Sequence, residues 1–301
     1  MKEASTSAAS VKSIIRQRAA DRMTRERAQK NLISPEQIWH GQIADKIASL
    51  QLPMVMGNFG DWVYQEKWLE NFYQCGKHQI RRICQSCGDV HEFANACSLK
   101  FCPMCQWKIT KARQRKIEAW TSFVKKPVHL VLTQKNFPIL TQSKISKHKK
   151  NLAAFRRLKV MRPVRGGTVS VEVTNEGNGW HLHSHWLMDS GWLDPSKIAI
   201  AWGKKVGQEY AIVKLKAIDD RGYLSECAKY VCKGSEMATW PAEQIWEFMR
   251  ACRSNRFFFP FGTMQTMKEQ VAERLAFLKP ETKGCECGSH DFRYFPPADP
   301  V

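Results

Sequence analysis

The chain has 301 residues, of which 43% are hydrophobic and eleven are Trp, and this composition favours a folded protein with a sizeable core. The 47 Lys and Arg residues against 28 acidic residues give a net charge of +19, which favours a polyanionic partner: nucleic acid first, an anionic membrane surface second. The sequence has no apolar run of membrane-spanning length and no signal peptide, so we expect an intracellular protein without a membrane partner. Thiols stay reduced inside the cell, so we expect the eleven Cys residues to bind metal or to be buried thiols.

The N-terminal part of the chain is basic and then aromatic. Residues 1–35 are rich in Ser and Ala and then in Arg and Lys, which predicts a basic N-terminal arm. Residues 36–80 contain several aromatic side chains, among them Trp39, Trp62 and Trp68, and we expect a helical segment there.

Two Cys-x-x-Cys pairs follow, Cys84 with Cys87 and Cys102 with Cys105, separated by fourteen residues. A tight turn in each pair points two thiolates at one ion, and two such pairs complete the tetrahedron that structural zinc prefers. Four sulfur ligands leave no open coordination position, so we predict a Zn²⁺ ion that stabilises a small lobe, residues 81–107. The competing ligands in this lobe are Cys97 and His91.

A regular alternation of helices and strands fills the centre of the chain. Helices are predicted at 108–123, 143–161, 195–206 and 221–233, and strands at 128–133, 168–173, 180–188 and 210–218. After the first helix, the order β-α-β-β-α-β-α predicts an α+β domain over residues 108–235. Its antiparallel sheet would be of the split-βαβ type, ferredoxin-like or RRM-like, with helices packed on one face.

The C-terminal part of the chain, residues 236–301, is expected to be a helical extension with helices at 241–252 and 264–278. Its tail carries Cys285, Cys287 and His290. Two close cysteines are a weak signal, so the sequence leaves open whether this tail binds a second zinc ion.

The most informative stretch is the hairpin in the central domain. Alternation along its second strand places His181, His183 and His185 on one face. If the turn centres near residues 176–177, Glu172 lies opposite His181 and diagonal to His183 on that same face. Three imidazoles facing a carboxylate predict a divalent-metal site, and the simpler alternative is a solvated strand face.

The predicted helix at 221–233 carries Tyr223, Glu226, Tyr230 and Lys233 on one face, and Gly234 suits its C-cap. By themselves these residues are typical of an ordinary solvated helix face. Beside a metal-binding hairpin, however, a tyrosine with a carboxylate one turn earlier is less readily explained as an ordinary solvated face.

Together these motifs resemble those of plasmid rolling-circle replication initiators, which belong to the HUH endonuclease superfamily. The resemblance covers residues 97 to about 235 and implies an HUH nuclease core preceded by the zinc lobe. The matching stretches are Cys97-x4-Cys102-Pro-x-Cys105, His129-Leu-Val-Leu-Thr133, Gly179-Trp-His181-Leu-His183-Ser-His185 and Glu226-x-x-Lys229-Tyr230-x-x-Lys233.

The resemblance implies a site-specific nickase acting at a hairpin or single-stranded site in plasmid origin DNA. Tyr230 would attack the scissile phosphate, which gives a 5′-phosphotyrosyl enzyme and a free 3′-OH primer. Glu226 would activate the water that ends the cycle. Because the pKa of tyrosine is near 10, Lys229 or Lys233 would help to remove its proton. The implied setting is the bacterial cytoplasm, with host helicase and polymerase as further partners.

The resemblance also implies that His183 and His185 hold the catalytic ion, Mg²⁺ or Mn²⁺. The residue between the paired histidines of the family is usually apolar, and here it is Ser184. The pair His181 and His183 fits that pattern better, so the choice between the two pairs stays open.

The basic helices are expected to supply phosphate contacts to DNA. The candidates are Lys108, Lys111, Arg113, Arg115, Lys149, Arg156 and Arg157. Three alternatives remain for the whole chain: an HUH transposase or relaxase, a non-catalytic zinc-ribbon DNA-binding regulator, and a hydrolytic zinc enzyme. A relaxase is less favoured because no nucleotide-binding G-x-x-x-x-G-K-[ST] loop occurs in the chain.

Overall fold

The computed structural model describes residues 34–56, 62–209, 211–218, 227–228, 232–278, 285 and 287–295. Its helices are α1 (Pro35–Ala48), α2 (Lys67–Tyr73), α3 (Pro103–Thr121), α4 (Gln142–Phe155), α5 (Pro195–Val206), α6 (Gly234–Thr239), α7 (Ala242–Cys252), α8 (Thr263–Thr266) and α9 (Lys268–Leu278). Its strands are β1 (Met54–Met56), β2 (Trp62–Tyr64), β3 (Gln79–Cys84), β4 (Val90–Ala94), β5 (Pro127–Leu132), β6 (Val164–Thr174), β7 (His181–Ser190), β8 (Val213–Ala217), β9 (Phe258–Gly262) and β10 (Phe292–Phe295).

The largest sheet has the strand order β8-β5-β7-β6-β9, and each neighbouring pair is antiparallel. It follows that β5 and β6 point in the same direction, with β7 between them. Helix α4 connects β5 to β6, and α5 connects β7 to β8.

One face of this sheet is apolar and is covered by α4 and α5. Alternation places Leu130 of β5 and Trp186 of β7 opposite each other on this face. The Trp186 ring meets Phe155 of α4 edge-on at 6.1 Å between centroids, and Phe155 meets Trp202 of α5 at 5.5 Å. This aromatic packing fixes both helices on the apolar face.

The opposite face carries Ser170, Glu172, His183 and His185, and we call it the histidine face. Toward one end it becomes apolar, where Leu187 joins a cluster of buried side chains from other elements. The cluster includes Ile117 and Trp120 of α3 and Val271 of α9. The histidine face is therefore partly covered by α3 and α9.

A smaller sheet has the order β10-β3-β4 and joins the C-terminal strand to two strands in the first third of the chain. It pairs residues that the sequence assigned to two segments, the zinc lobe at 81–107 and the extension at 236–301. The division into domains stays a prediction. Among the described residues, no helix is both long and apolar enough to cross a membrane.

The mixed α+β class with antiparallel sheets agrees with the expectation from the sequence. The helix predicted at 195–206 has those bounds, whereas the one predicted at 143–161 ends at Phe155 and is followed by a 3-10 turn, Lys159–Met161. The edge strand β9 was not predicted. Its sequence is Phe258-Phe-Pro-Phe-Gly262, and proline is tolerated at a sheet edge.

Candidate metal centres and nucleic-acid interface

The hairpin of β6 and β7 places Glu172 directly opposite His183, and Thr174 opposite His181. The predicted register, with Glu172 opposite His181, is therefore wrong. The loop spans residues 175–180, so its centre lies one residue later than assumed, and each pairing shifts by two positions in β7. All three histidines remain on the same face as Glu172.

Local contacts fix this loop. The side chain of Asn175 accepts a hydrogen bond from the backbone amide of Gly177 at 3.1 Å. Gly177 and Gly179 both have positive φ, at 94° and 85°. A Cβ atom on Gly179 would lie 2.9 Å from the backbone oxygen of Phe137, so glycine is required there.

Two imidazoles converge on the buried carboxylate of Glu172. The Nε2 atoms of His183 and His185 lie 2.6 Å and 3.2 Å from the same Oε2 atom. Glu172 is 3% exposed, and one ligand atom from each of the three residues lies within 4.8 Å of the others. Two imidazoles and one carboxylate form a donor set that suits a divalent cation and leaves coordination positions open.

His181 lies beside this cluster but outside it. Its ring meets that of His183 edge-on at 5.1 Å between centroids. Burial lowers the pKa of His181, and the neighbouring His183 lowers it further. Of the two histidine pairs left open by the sequence, the geometry favours His183 with His185.

His129 of β5 begins one of the stretches that carry the resemblance, but it was given no role from the sequence. Its Nε2 lies 3.3 Å from Nδ1 of His185, the two rings stack at an interplanar angle of 12°, and His129 is 4% exposed. A contact to the second ring nitrogen of a metal-binding histidine orients the ring. Strand pairing is what reveals this contact: His129 pairs with Leu187, which places it on the same sheet face as His185.

The predicted nucleophile Tyr230 lies outside the described residues, as do Glu226, Lys229 and Tyr223. Lys233 is described, and it immediately precedes α6 instead of ending a helix. The prediction of a C-cap at Gly234 is wrong because this residue begins α6. A Cβ atom on Gly234 would lie 2.9 Å from Cβ of Pro103, so glycine permits a close approach between two helices.

The described residues on either side of Tyr230 are attached to the histidine face and to α3. The hydroxyl of Ser170 donates a hydrogen bond to the backbone oxygen of Cys227 at 2.8 Å. The Gln106 amide donates one to the backbone oxygen of Cys232 at 2.7 Å. Burial raises the pKa of the Cys232 thiol, and the carboxylates of Glu236 and Glu172 raise it further.

Four cysteines near the start of α3 form the first cysteine cluster: Cys75, Cys97, Cys102 and Cys105. Their sulfur atoms are 3.6 Å apart for Cys75 and Cys105, and 3.7 Å apart for Cys97 with Cys105 and for Cys102 with Cys75. A zinc tetrahedron with Zn–S bonds of about 2.3 Å has edges of about 3.8 Å, so the spacing fits zinc. Hydrogen bonds among these thiols lower the pKa of Cys105 and raise that of Cys102.

The predicted grouping of Cys84 and Cys87 with Cys102 and Cys105 is corrected by this geometry. Strand β3 has six residues, which at about 3.3 Å per residue carry the chain roughly 17 Å away from the first cluster before Cys84. Cys75, from the segment preceding the predicted lobe, and Cys97 complete the first cluster instead. His91 is not part of it and lies 3.3 Å from Asp89.

The second cysteine cluster consists of Cys84, Cys87, Cys285 and Cys287. The sulfur atoms of Cys84 and Cys287 are 3.6 Å apart, and those of Cys87 and Cys285 are 3.1 Å apart. Burial acts to raise the pKa of Cys84, but hydrogen bonds from the backbone amides of Ser86 and Cys87 and from neighbouring thiols lower it to about 6.

Comparison with known proteins identifies the family. Residues 89–197 match a family described as "Replication protein", a range that contains the histidine hairpin and three cysteines of the first cluster. A curated relative, "Protein rep" of Streptococcus pneumoniae serotype 2 (strain D39 / NCTC 7466), is 30% identical over 237 residues, which are 68% of this chain and 70% of the relative. The chain belongs to the Rep family of plasmid replication initiators. No solved structure matches it.

A replication initiator is expected to bind origin DNA, and the predicted DNA contacts lie on two helices at opposite faces of the sheet. On α3, Lys108, Lys111 and Arg115 are exposed. Arg113 is half-buried over the ring of Phe258 on the histidine face, at 5.4 Å, and burial lowers its pKa to about 10.

The other predicted contacts lie on and just after α4, beside a groove between this helix and β9 that we call the basic groove. It has a volume of about 480 Å³ and is lined by Lys149, Lys150, Arg156 and Arg256 around Phe259 and Trp186. Lys149 donates to the Asn255 side chain at 3.0 Å and lies 5.6 Å from the centroid of the Phe259 ring. Arg157 is exposed next to Arg156.

Proposed function

We propose that this Rep-family protein is an HUH endonuclease that nicks and rejoins plasmid origin DNA with Tyr230 as nucleophile. One observation carries the proposal. His183 and His185 converge on Glu172, and the same sheet face binds the backbone of Cys227 through a hydrogen bond. Cys227 lies three residues before Tyr230 in the chain. The sheet order β8-β5-β7-β6, with β5 and β6 parallel on either side of β7, supports a split-βαβ nuclease core.

Glu172, His183 and His185 would hold the catalytic Mg²⁺ or Mn²⁺, and their mixed oxygen and nitrogen donors fit either ion. When bound, the ion polarises the scissile phosphate and offsets the charge that develops on its oxygens. His129 positions the ring of His185 from the neighbouring strand. His181 lies outside the ligand set and is available to contact DNA.

Tyr230 lies two residues before Cys232 in the chain. The backbone of Cys232 is held by Gln106. Tyr230 attacks the scissile phosphorus, the bond to the 3′ oxygen breaks, and the products are a 5′-phosphotyrosine and a 3′-OH primer. Lys229 or Lys233 stabilises the deprotonated phenol, and Glu226 accepts the proton of the water that later hydrolyses the phosphotyrosine.

The first cysteine cluster would hold a structural Zn²⁺ ion with no open coordination position. Cys102 is the N-cap residue of α3, and Cys105 lies in the first turn of that helix. Gln106 follows directly, so an ion at this site fixes the helix end that holds Cys232. In this proposal, zinc supports the position of the tyrosine without taking part in chemistry.

Origin DNA, with a hairpin or single-stranded nick site, is the proposed substrate. Arg113 and the exposed cations of α3 would contact the phosphates beside the nick site, because α3 covers the histidine face. The basic groove would contact the same DNA at a distance from the cut. Replication from the primer places the reaction in the bacterial cytoplasm, with host helicase and polymerase as partners.

The proposal is tested by nicking of a supercoiled origin plasmid in Mn²⁺ or Mg²⁺ with two tyrosine variants. Tyr230→Phe removes one oxygen and is expected to abolish nicking while leaving DNA affinity unchanged. Tyr223→Phe is the matched control and is expected to nick normally. Nicking that persists in Tyr230→Phe and disappears in Tyr223→Phe would reassign the nucleophile.

A further inference from the structure

We propose that Cys84, Cys87, Cys285 and Cys287 bind a second zinc ion, which fastens the C-terminal tail to the turn between β3 and β4. The four residues come from two short segments about 200 positions apart in the chain. They lie outside residues 89–197, which match the replication protein family, so the site is a feature of the chain beyond that match.

The donor set is that of a closed zinc site. Four thiols converge so that all ligand atoms lie within 4.8 Å of one another. The separation of 3.6 Å between the sulfurs of Cys84 and Cys287 is close to the edge of about 3.8 Å in a zinc–thiolate tetrahedron. The pair Cys87 and Cys285 is closer, at 3.1 Å, yet far longer than a disulfide bond of about 2.05 Å.

Both segments turn back on themselves, the first between Cys84 and Gly88 and the second, one residue tighter, between Cys285 and Gly288. In the first, the amide of Gly88 donates to the carbonyl oxygen of Cys84 at 2.9 Å, and Gly88 has a φ of 76°. In the second, the amide of Gly288 donates to the carbonyl oxygen of Cys285 at 2.8 Å, and Gly288 has a φ of 84°. Each turn ends at a glycine in the left-handed backbone conformation. A tight turn of this kind directs both thiols of a pair toward the same point.

The described strands of the sheet around this cluster bury little apolar surface. Strand β10 pairs with β3, and Phe292 lies opposite Cys84. Across the described residues of β3, β4 and β10, Cys84 is the one fully buried side chain. A small sheet with so little buried apolar surface is marginal in water, and metal binding is a common source of the missing free energy.

The second site is separate from the first because β3 lies between them. An ion at the first cluster fixes the start of α3, whereas an ion at the second holds the C-terminal strand in its sheet. The inference does not depend on nicking activity. It is tested by the zinc content of the protein and by the resistance of the C-terminal tail to protease.

The test is native mass spectrometry of the full-length protein purified under reducing conditions, with zinc quantified independently by elemental analysis. We expect two zinc ions per chain. The double variant Cys285→Ser, Cys287→Ser should retain one zinc ion, and its tail should be cleaved faster by a protease. The control Cys252→Ala removes a buried thiol outside both clusters and should retain two zinc ions and the protected tail.

Two results would overturn the proposal. One zinc ion per wild-type chain, with the tail variant also holding one, would show that the second cluster does not bind zinc. An intact mass lower by two hydrogens under non-reducing conditions, mapped to Cys87 and Cys285, would show a disulfide instead. The second ion is assigned by its loss in the tail variant, because the total count also includes any zinc held by Glu172, His183 and His185. If the tail variant folds poorly, Cys87→Ser changes the other segment of the same cluster and should also retain one zinc ion fewer than the wild type.

Discussion

The side-chain amide of Gln106 donates a 2.7 Å hydrogen bond to the backbone oxygen of Cys232, and both residues are buried. Gln106 follows the last ligand of the first cysteine cluster, and Cys232 lies two residues after Tyr230. One hydrogen bond therefore connects the proposed structural zinc site to the segment that carries the proposed nucleophile.

Replacing Gln106 tests this connection. Gln106→Ala leaves the buried Cys232 oxygen without its donor, which costs about 1–3 kcal/mol. If this cost falls on the transition state, nicking slows by roughly five- to 150-fold. Zinc content and DNA affinity should be unchanged. The control is Gln114→Ala, on the same helix, whose side chain is hydrogen-bonded to Glu118, and it should nick normally. An equal loss of nicking rate in both variants would contradict a specific role for Gln106.

Histidine variants test the composition of the catalytic metal site. His183→Ala removes an imidazole that contacts Glu172 and is expected to abolish measurable Mn²⁺ binding in calorimetry, together with metal-dependent nicking. His181→Ala, two residues away on the same face, should bind Mn²⁺ as the wild type does. Circular dichroism should show both variants folded. Loss of Mn²⁺ binding in His181→Ala as well as in His183→Ala would favour the pair His181 and His183.

Glu226 is predicted to act after the first cut. Glu226→Ala should still nick supercoiled origin DNA, because Tyr230 supplies the nucleophile for that step. It should release the covalent enzyme poorly, because the water that hydrolyses the phosphotyrosine lacks its base. Displaced single strands would then exceed one unit length on a gel. Normal termination would leave Glu226 as a surface residue worth about 0.3–0.5 kcal/mol in an ion pair.

The basic groove should contribute phosphate contacts. Lys149 and Arg156 line it and have no carboxylate partner among the described ion pairs, so the double variant Lys149→Ala, Arg156→Ala should weaken DNA binding. Each lost contact lowers the slope of log affinity against log salt by about 0.7 to 0.9. The control Lys197→Ala, Lys204→Ala removes the same charge from α5. Identical slopes in both variants would mean that only overall charge matters.

Much of the site could be predicted because it depends on local periodicity. Alternation placed His183 and His185 on one face, and the assumed turn placed Glu172 on that same face. The shared face held although the register was wrong, because a shift of two positions keeps every side chain on its face. The register depends on the loop conformation set by Gly177 and Gly179, which alternation does not encode.

The cysteine grouping could not be predicted, because it depends on contacts distant in sequence. Spacing suggested that the two Cys-x-x-Cys pairs share an ion, but β3 separates Cys84 from the first cluster. The true neighbours, Cys75 and Cys285, become apparent only once the small sheet is assembled. The contact between His129 and His185 is also non-local, since it requires β5 to pair with β7.

The most direct test of the account is to identify the residue that becomes attached to DNA. The wild-type protein is incubated with Mn²⁺ and a hairpin origin oligonucleotide, digested with protease and nuclease, and analysed by tandem mass spectrometry. The account predicts a nucleotide adduct on Tyr230 that is absent without metal and absent from His183→Ala. An adduct on another residue, or cleavage of the origin without any covalent intermediate, would contradict it.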